Sequence, residues 1–138
     1  TPNITEANLL LGLNPNQFGY NDSDLKNICR DLSKLGPGLV IITGFLIDGY
    51  IYNISYDAHT DTMVKFGKPY NKMSFSGTGD IFTSIVAALI TRDFDIGDTC
   101  QIATDFIFDA VKYTSSLDGI ERNDGIMFEE FLGKLCQL

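Results

Sequence analysis

The chain has 138 residues, 44% of them hydrophobic, which is enough for one domain with a real core. Its formal charge of −8 argues against a general nucleic-acid or anionic-membrane surface, where a basic stripe would be expected. No apolar run reaches the roughly 18 residues of a membrane span and no signal-peptide pattern opens the chain, while Cys29, Cys100 and Cys136 lack CxxC or metal-ligand spacing and read as reduced core cysteines of a cytoplasmic protein.

Residues 1–12 begin as a loop and continue as a short helix, since Glu6, Ala7, Leu9, Leu10 and Leu11 are helix-compatible and Gly12 suits a C-terminal stop. Asn3 or Thr5 stands near the cap, with Glu6 favoured by the dipole. The same spacing sets Asn3 and Glu6 side by side at the helix mouth, where Glu6 could hold a hydrated cation. After a polar loop over 13–22, Ser23 or Asp22 caps an amphipathic helix with Leu25, Ile28, Cys29, Leu32 and Leu35 on one face. Gly36-Pro37-Gly38 stops it.

Leu39-Val40-Ile41-Ile42-Thr43-Gly44 is a continuous apolar run, the pattern of a strand buried on both faces in an α/β protein. Thr43 and Gly44 fall at its C-terminal end, where open α/β sheets place ligands. From residue 45 to 68 the period becomes two, which predicts an antiparallel hairpin over 50–66 with its turn at 57–61. His59, Asp57 and Asp61 are read as turn residues.

An extended connector then leads into Ser74-Phe75-Ser76-Gly77-Thr78-Gly79-Asp80-Ile81-Phe82, followed by a helical run to Ile90. Gly77 and Gly79 let backbone N–H groups face a ligand, and the helix N-terminus behind them favours an anion. Asp80 conflicts with that cradle, because a carboxylate repels phosphate. A base that takes the proton from an attacking hydroxyl would resolve the conflict. A plain helix start with Asp in its first turn accounts for the same residues. Met73 and Phe75 flank the cradle and could line a flat pocket or fill the core. A helix over 98–116 and a final helix over 127–135 complete the chain.

Thr1-Pro2-Asn3-Ile4-Thr5-Glu6, a buried strand ending in Thr43, and Gly77-Thr78-Gly79-Asp80 opening a helix resemble, in that order, the C-terminal half of ribokinase-like small-molecule kinases. The likeness is greatest to pyridoxal/pyridoxamine kinases. It covers all 138 residues, but only about the second half of such an enzyme. The resemblance implies a three-layer α/β/α fold with a mixed sheet and an antiparallel hairpin, here as one nucleotide-binding domain. It implies Asp80 as the base acting on the substrate hydroxymethyl group, and Gly77, Thr78 and Gly79 as the anion hole. Asn3, Thr43, Gly44 and Phe75 fall on the ATP side, and Glu6 and Thr1 serve metal ions: Mg²⁺ with ATP, and a monovalent K⁺ or Na⁺. Hydroxymethylpyrimidine phosphate kinases tend to share Thr-Pro-Asn but carry Cys where Asp80 stands, so the pattern leans toward a vitamin B6 kinase. Other ribokinase-like kinases and a non-catalytic nucleotide-binding module are the alternatives. Gly44 stands where relatives often have Ser, which removes one side-chain contact to nucleotide. Without the family's N-terminal half, the isolated chain is expected to be inactive and to self-associate, as a homodimer or otherwise, through a raw sheet edge.

Overall fold

In this computed structural model, which describes residues 1–138, the chain divides into two units, Thr1–Gly67 and Lys68–Leu138. The first contains helices α1 (Ile4–Leu10) and α2 (Asp22–Ser33) and strands β1 (Leu39–Ile47) and β2 (Tyr50–Asp57). Strand β3 (Thr62–Pro69) carries the chain across the boundary.

Helix α2 is capped by Asn21, one residue before the expected Asp22 or Ser23: the Asn21 side chain accepts the Asp24 amide at 2.9 Å. Asp22 and Asp24 then lie in the first turn, where the helix dipole favours them. Leu25, Ile28, Cys29 and Leu32 are buried as the spacing predicts. Leu35 is not; it lies beyond the last turn and is 60% exposed.

The sheet has the order β1-β2-β3. Strands β1 and β2 pair antiparallel from Leu39↔Asp57 to Ile47↔Tyr50. Asp48 and Gly49 close this hairpin with φ of 49° and 81°, positive at both residues as a two-residue type I′ turn requires. Strand β1 thus runs past the expected end at Gly44. The parallel part of the expected mixed sheet is confined to one bridge, Asn3↔Thr43. Val40, Ile41 and Ile42 are buried in succession, so β1 is covered on both faces, as its unbroken apolar run implies.

Val40, Ile42 and Phe45 share a core with Ile54 and Tyr56 of β2, Ile4 and Ala7 of α1, and Leu25, Ile28, Cys29 and Leu32 of α2. Each fully buried large aliphatic in such a cluster contributes about 1.5–3 kcal/mol through removal from water.

The second unit contains α3 (Thr78–Ile90), α4 (Ile96–Thr114), two 3₁₀ turns at Arg122–Asp124 and Glu129–Phe131, and the one-turn helix α5 (Leu132–Leu135). Helix α4 starts two residues earlier than expected because Asp95 caps it, its carboxylate accepting the amides of Gly97 at 2.7 Å and Asp98 at 3.1 Å. Phe75, Ala110 and Ile126 form a buried cluster, with Ile107, Val111, Phe128 and Phe131 packed against it.

The final helix expected over 127–135 is broken into a 3₁₀ turn and one α turn, with Gly133 inside the latter. Glycine weakens a helix interior, and here Met127 and Leu132 are exposed, so no continuous apolar stripe stabilises a longer helix. Cys136 lies at this exposed end, unlike the buried Cys29 and Cys100, and is not a core cysteine. No helix is long and apolar enough to cross a membrane.

Candidate functional site

In the first unit the capping geometry and the β1 kink lie side by side. Asn3 Oδ1 accepts the Glu6 amide at 2.9 Å, and Glu6 Oε2 accepts the Asn3 amide at 2.9 Å, so the pair forms a reciprocal capping box on α1. The capping expectation is met, and it leaves Glu6 exposed with its carboxylate fixed in direction. Asn3 also bridges Thr43, whose amide donates to Pro2 O at 2.9 Å.

There β1 carries an extra residue: the register passes from Ile42↔Ile54 to Phe45↔Tyr52, leaving Thr43 and Gly44 opposite Asn53. Gly44 takes φ of 69°, and its amide donates to Asn53 Oδ1 at 3.0 Å. A bulge with glycine in the left-handed region bends the strand and re-aims the residues beside it. Asn3, Glu6, Thr43 and Gly44 are thereby brought together from positions some forty residues apart along the chain. Thr1, Pro2, Glu6, Leu9 and Leu10 line an open depression of about 490 Å³. No three His, Cys, Asp or Glu side chains group as a metal cage. A single oriented carboxylate fits an ion that keeps its waters and takes most of its remaining ligands from a bound phosphate, which is how Mg²⁺ is usually held.

In the second unit Gly77 precedes α3 with φ of 82° and ψ of −5°, and no side chain caps the helix. The first amide bonded back along the helix is that of Ile81, to Gly77 O at 3.0 Å. The first-turn N–H groups of Thr78, Gly79 and Asp80 are therefore the donors that an α-helix leaves over for a ligand or water. A Cβ on Gly77 or on Gly79 would meet nothing within 4 Å, so the backbone is open on that side. Asp80 is exposed in this first turn. The Thr78 hydroxyl donates to Phe75 O at 3.2 Å and closes the loop on itself. The Phe75 ring is 5% exposed and sits in the core cluster, so its place is the root of the loop; Met73 is exposed.

The bracket behind this loop is absent from the sequence expectations. Ser76 donates its amide to Arg122 O at 2.9 Å and its hydroxyl to Asn123 Oδ1 at 3.3 Å. The turn-forming run Arg122-Asn123-Asp124-Gly125 was a signal of tight local structure. Nothing in it points to a partner more than forty residues away. Asn53 is a second such residue: its strand position was legible, its grip on Gly44 was not.

The family model for phosphomethylpyrimidine kinase matches residues 1–124. The hydroxymethylpyrimidine/phosphomethylpyrimidine kinase of Aquifex aeolicus (strain VF5) is 31% identical over 118 residues, which cover 85% of this chain and 44% of that protein. A Bacteroides thetaiotaomicron VPI-5482 protein described provisionally as a phosphomethylpyrimidine kinase is similar in structure, with a TM-score of 0.92 and 30% identity over 98% of this chain and 46% of that one. Its orthorhombic form, with pyridoxal, gives a TM-score of 0.90 at 30% identity, covering 98% of this chain and 48% of that one. The pyridoxal kinase of Staphylococcus aureus in complex with ADP gives 0.69 at 25% identity, covering 89% of this chain and 43% of that one. The chain spans less than half the length of each of these relatives. It belongs to the phosphomethylpyrimidine kinase family, and its fold is of the ribokinase-like kinase type.

Proposed function

We propose that this member of the phosphomethylpyrimidine kinase family carries the nucleotide and anion-hole half of an ATP-dependent kinase that phosphorylates the hydroxymethyl group of pyridoxal, pyridoxamine or pyridoxine. The observation that carries the reading is the start of α3: an uncapped helix behind a left-handed glycine, with an exposed carboxylate, Asp80, in its first turn. A helix built only for stability gains from a side-chain cap. One built to receive a phosphoryl group leaves its amides vacant for it.

In the proposed reaction Asp80 accepts the proton of the substrate hydroxyl. The alkoxide oxygen bonds to the γ-phosphorus of ATP, and the bond from that phosphorus to the bridging oxygen breaks. ADP leaves with the electron pair. The amides of Thr78 and Gly79 face the charge on the transferring oxygens, and Gly77 gives the backbone the turn that aims them. Glu6, oriented by Asn3, is the carboxylate offered to Mg²⁺, which when bound neutralises phosphate charge. In this reading Thr1 and Thr43 serve a monovalent cation or a phosphate oxygen, and Gly44 belongs to the nucleotide side. Asp80 in place of the Cys expected of hydroxymethylpyrimidine phosphate kinases, together with the pyridoxal form of the Bacteroides relative, supports a B6 vitamer as substrate. The activity for which the Aquifex relative is named favours hydroxymethylpyrimidine as the second reading.

The deciding experiment is MgATP-dependent phosphorylation of the three B6 vitamers and of hydroxymethylpyrimidine by the intact natural protein and by this chain, with Asp80→Asn as control. Turnover of a vitamer that falls about 10²–10⁴-fold in Asp80→Asn, with ATP binding retained, supports the reading. Preferential turnover of hydroxymethylpyrimidine selects the second. ATP binding with no phosphorylation of any alcohol leaves a nucleotide-binding module. The 138-residue chain alone is expected to show no turnover.

A further inference from the structure

The shape of the glycine loop is set from outside the loop. Ser76, the residue before the left-handed glycine, gives its amide to Arg122 O at 2.9 Å and its hydroxyl to Asn123 Oδ1 at 3.3 Å. Its carbonyl lies 3.6 Å from where a Cβ on Gly125 would stand. The turn that supplies both acceptors is itself closed. Glu121 N donates to Asp124 Oδ2 at 2.7 Å, and Asp124 N donates to Glu121 O at 3.1 Å. Gly125 follows with φ of 81° and ψ of −168°, a region open essentially to glycine alone. Residues 121–125 therefore form a bracket of fixed geometry against one residue of the loop.

We infer that Asn123 is a positioning residue for phosphoryl transfer, acting through Ser76 to set the direction of the Thr78 and Gly79 amides. The inference rests on the kinase reading of this loop. A hydrogen bond between two exposed side chains contributes little to folding, because water replaces it readily. Donors aimed at a transferring phosphoryl group are sensitive to far smaller changes, since their contribution depends on preorganised direction. Loss of this contact should consequently appear in the rate and not in the stability. Thr78, bonded to Phe75 O, closes the loop from its other side.

The test compares Asn123→Ala, Ser76→Ala and the double variant in the intact natural protein. Expected is a fall of about tenfold in kcat for each single variant, KM for the alcohol within about twofold, and a double variant no slower than the slower single. Asn123→Gln, which keeps a neutral amide acceptor, should recover part of the rate. Unchanged kcat, additive losses, or rate losses that track a lowered melting temperature would overturn the assignment. A second measurement separates it from the kinase reading: titration of this chain with inorganic tripolyphosphate, followed by the amide shifts of Gly77 and Gly79. Binding that weakens at least about fivefold in Asn123→Ala supports the bracket even if no alcohol is phosphorylated. Equal shifts in both proteins, or none in the unsubstituted chain, overturn it.

Discussion

Arg30 of α2 holds Asp61, in the turn between β2 and β3, through two parallel hydrogen bonds: Nε to Oδ1 at 2.9 Å and Nη2 to Oδ2 at 2.7 Å. Lys26 Nζ adds a contact to Oδ2 at 3.1 Å, and the Tyr56 hydroxyl donates to Oδ1 at 2.9 Å. One turn carboxylate thus ties the hairpin to the helix that covers it.

The hydrogen bonds from Arg30, then Tyr56 and Lys26, hold the Asp61 carboxyl well below the usual carboxylate range. A carboxyl whose pKa falls on folding stabilises the fold fully above its unfolded value of about 4, and that contribution is lost as pH falls below it. Urea midpoints should therefore drop between neutral pH and about pH 3, and the drop should flatten in Asp61→Asn. At neutral pH Asp61→Asn should unfold at a lower midpoint than the unsubstituted chain. Identical acid profiles for the two proteins would remove Asp61 from the account.

Burial pushes the thiols of Cys29 and Cys100 up to about 12, whereas Cys136 is exposed. The thiolate is the reactive form, so at neutral pH only Cys136 should react quickly with a disulfide reagent. All three should react in denaturant. Labelling of Cys29 or Cys100 at the rate of Cys136 in the folded chain would contradict the packing of α2 or α4.

Gly77→Ala and Gly79→Ala should part company. Gly77 has φ of 82°, so alanine there strains the backbone by about 1–2 kcal/mol although space is open around it. Gly79 lies inside α3 with nothing within 4 Å of a Cβ, so alanine should be neutral or gain up to about 1 kcal/mol in helix propensity. If a phosphoryl group crosses that backbone, Gly79→Ala should nonetheless cut kcat by at least about tenfold. Thermal melts and single-turnover rates on the two variants read both effects, and full activity in Gly79→Ala would place the phosphoryl group elsewhere.

Asn8 is fully buried on α1, where its amide donates to the carbonyls of Asn14 and Gln17 at 3.2 Å each and its Oδ1 accepts from the Tyr20 hydroxyl at 3.0 Å. Asn8→Ala should cost about 1–3 kcal/mol, because it removes three hydrogen bonds made by a fully buried side chain. It should also expose the loop over residues 13–20 to proteolysis before global unfolding. Unchanged protection of that loop would show that Asn8 does not organise it.

Much of the candidate site was legible because its rules are local. The reciprocal bonds of Asn3 and Glu6 span three residues, and the open start of α3 follows from glycines beside an apolar helical run. The alternation along β2 and the unbroken apolar run of β1 likewise announced a hairpin and a strand buried on both faces. The ends of elements were harder, since Asn21, Asp95 and the break at Gly133 depend on which competing cap or packing surface wins.

The sequence by itself determined most of the elements, the glycine-framed helix start and the family, because periodicity, capping and turn chemistry act within a few residues. Tertiary structure alone decided that Thr43 and Gly44 form a bulge beside Asn3, that Asp61 is gripped by Arg30, and that Asn123 braces Ser76. The last two contacts join residues 31 and 47 positions apart. Such pairs are chosen by the packing of whole elements, to which any one short stretch contributes only a part.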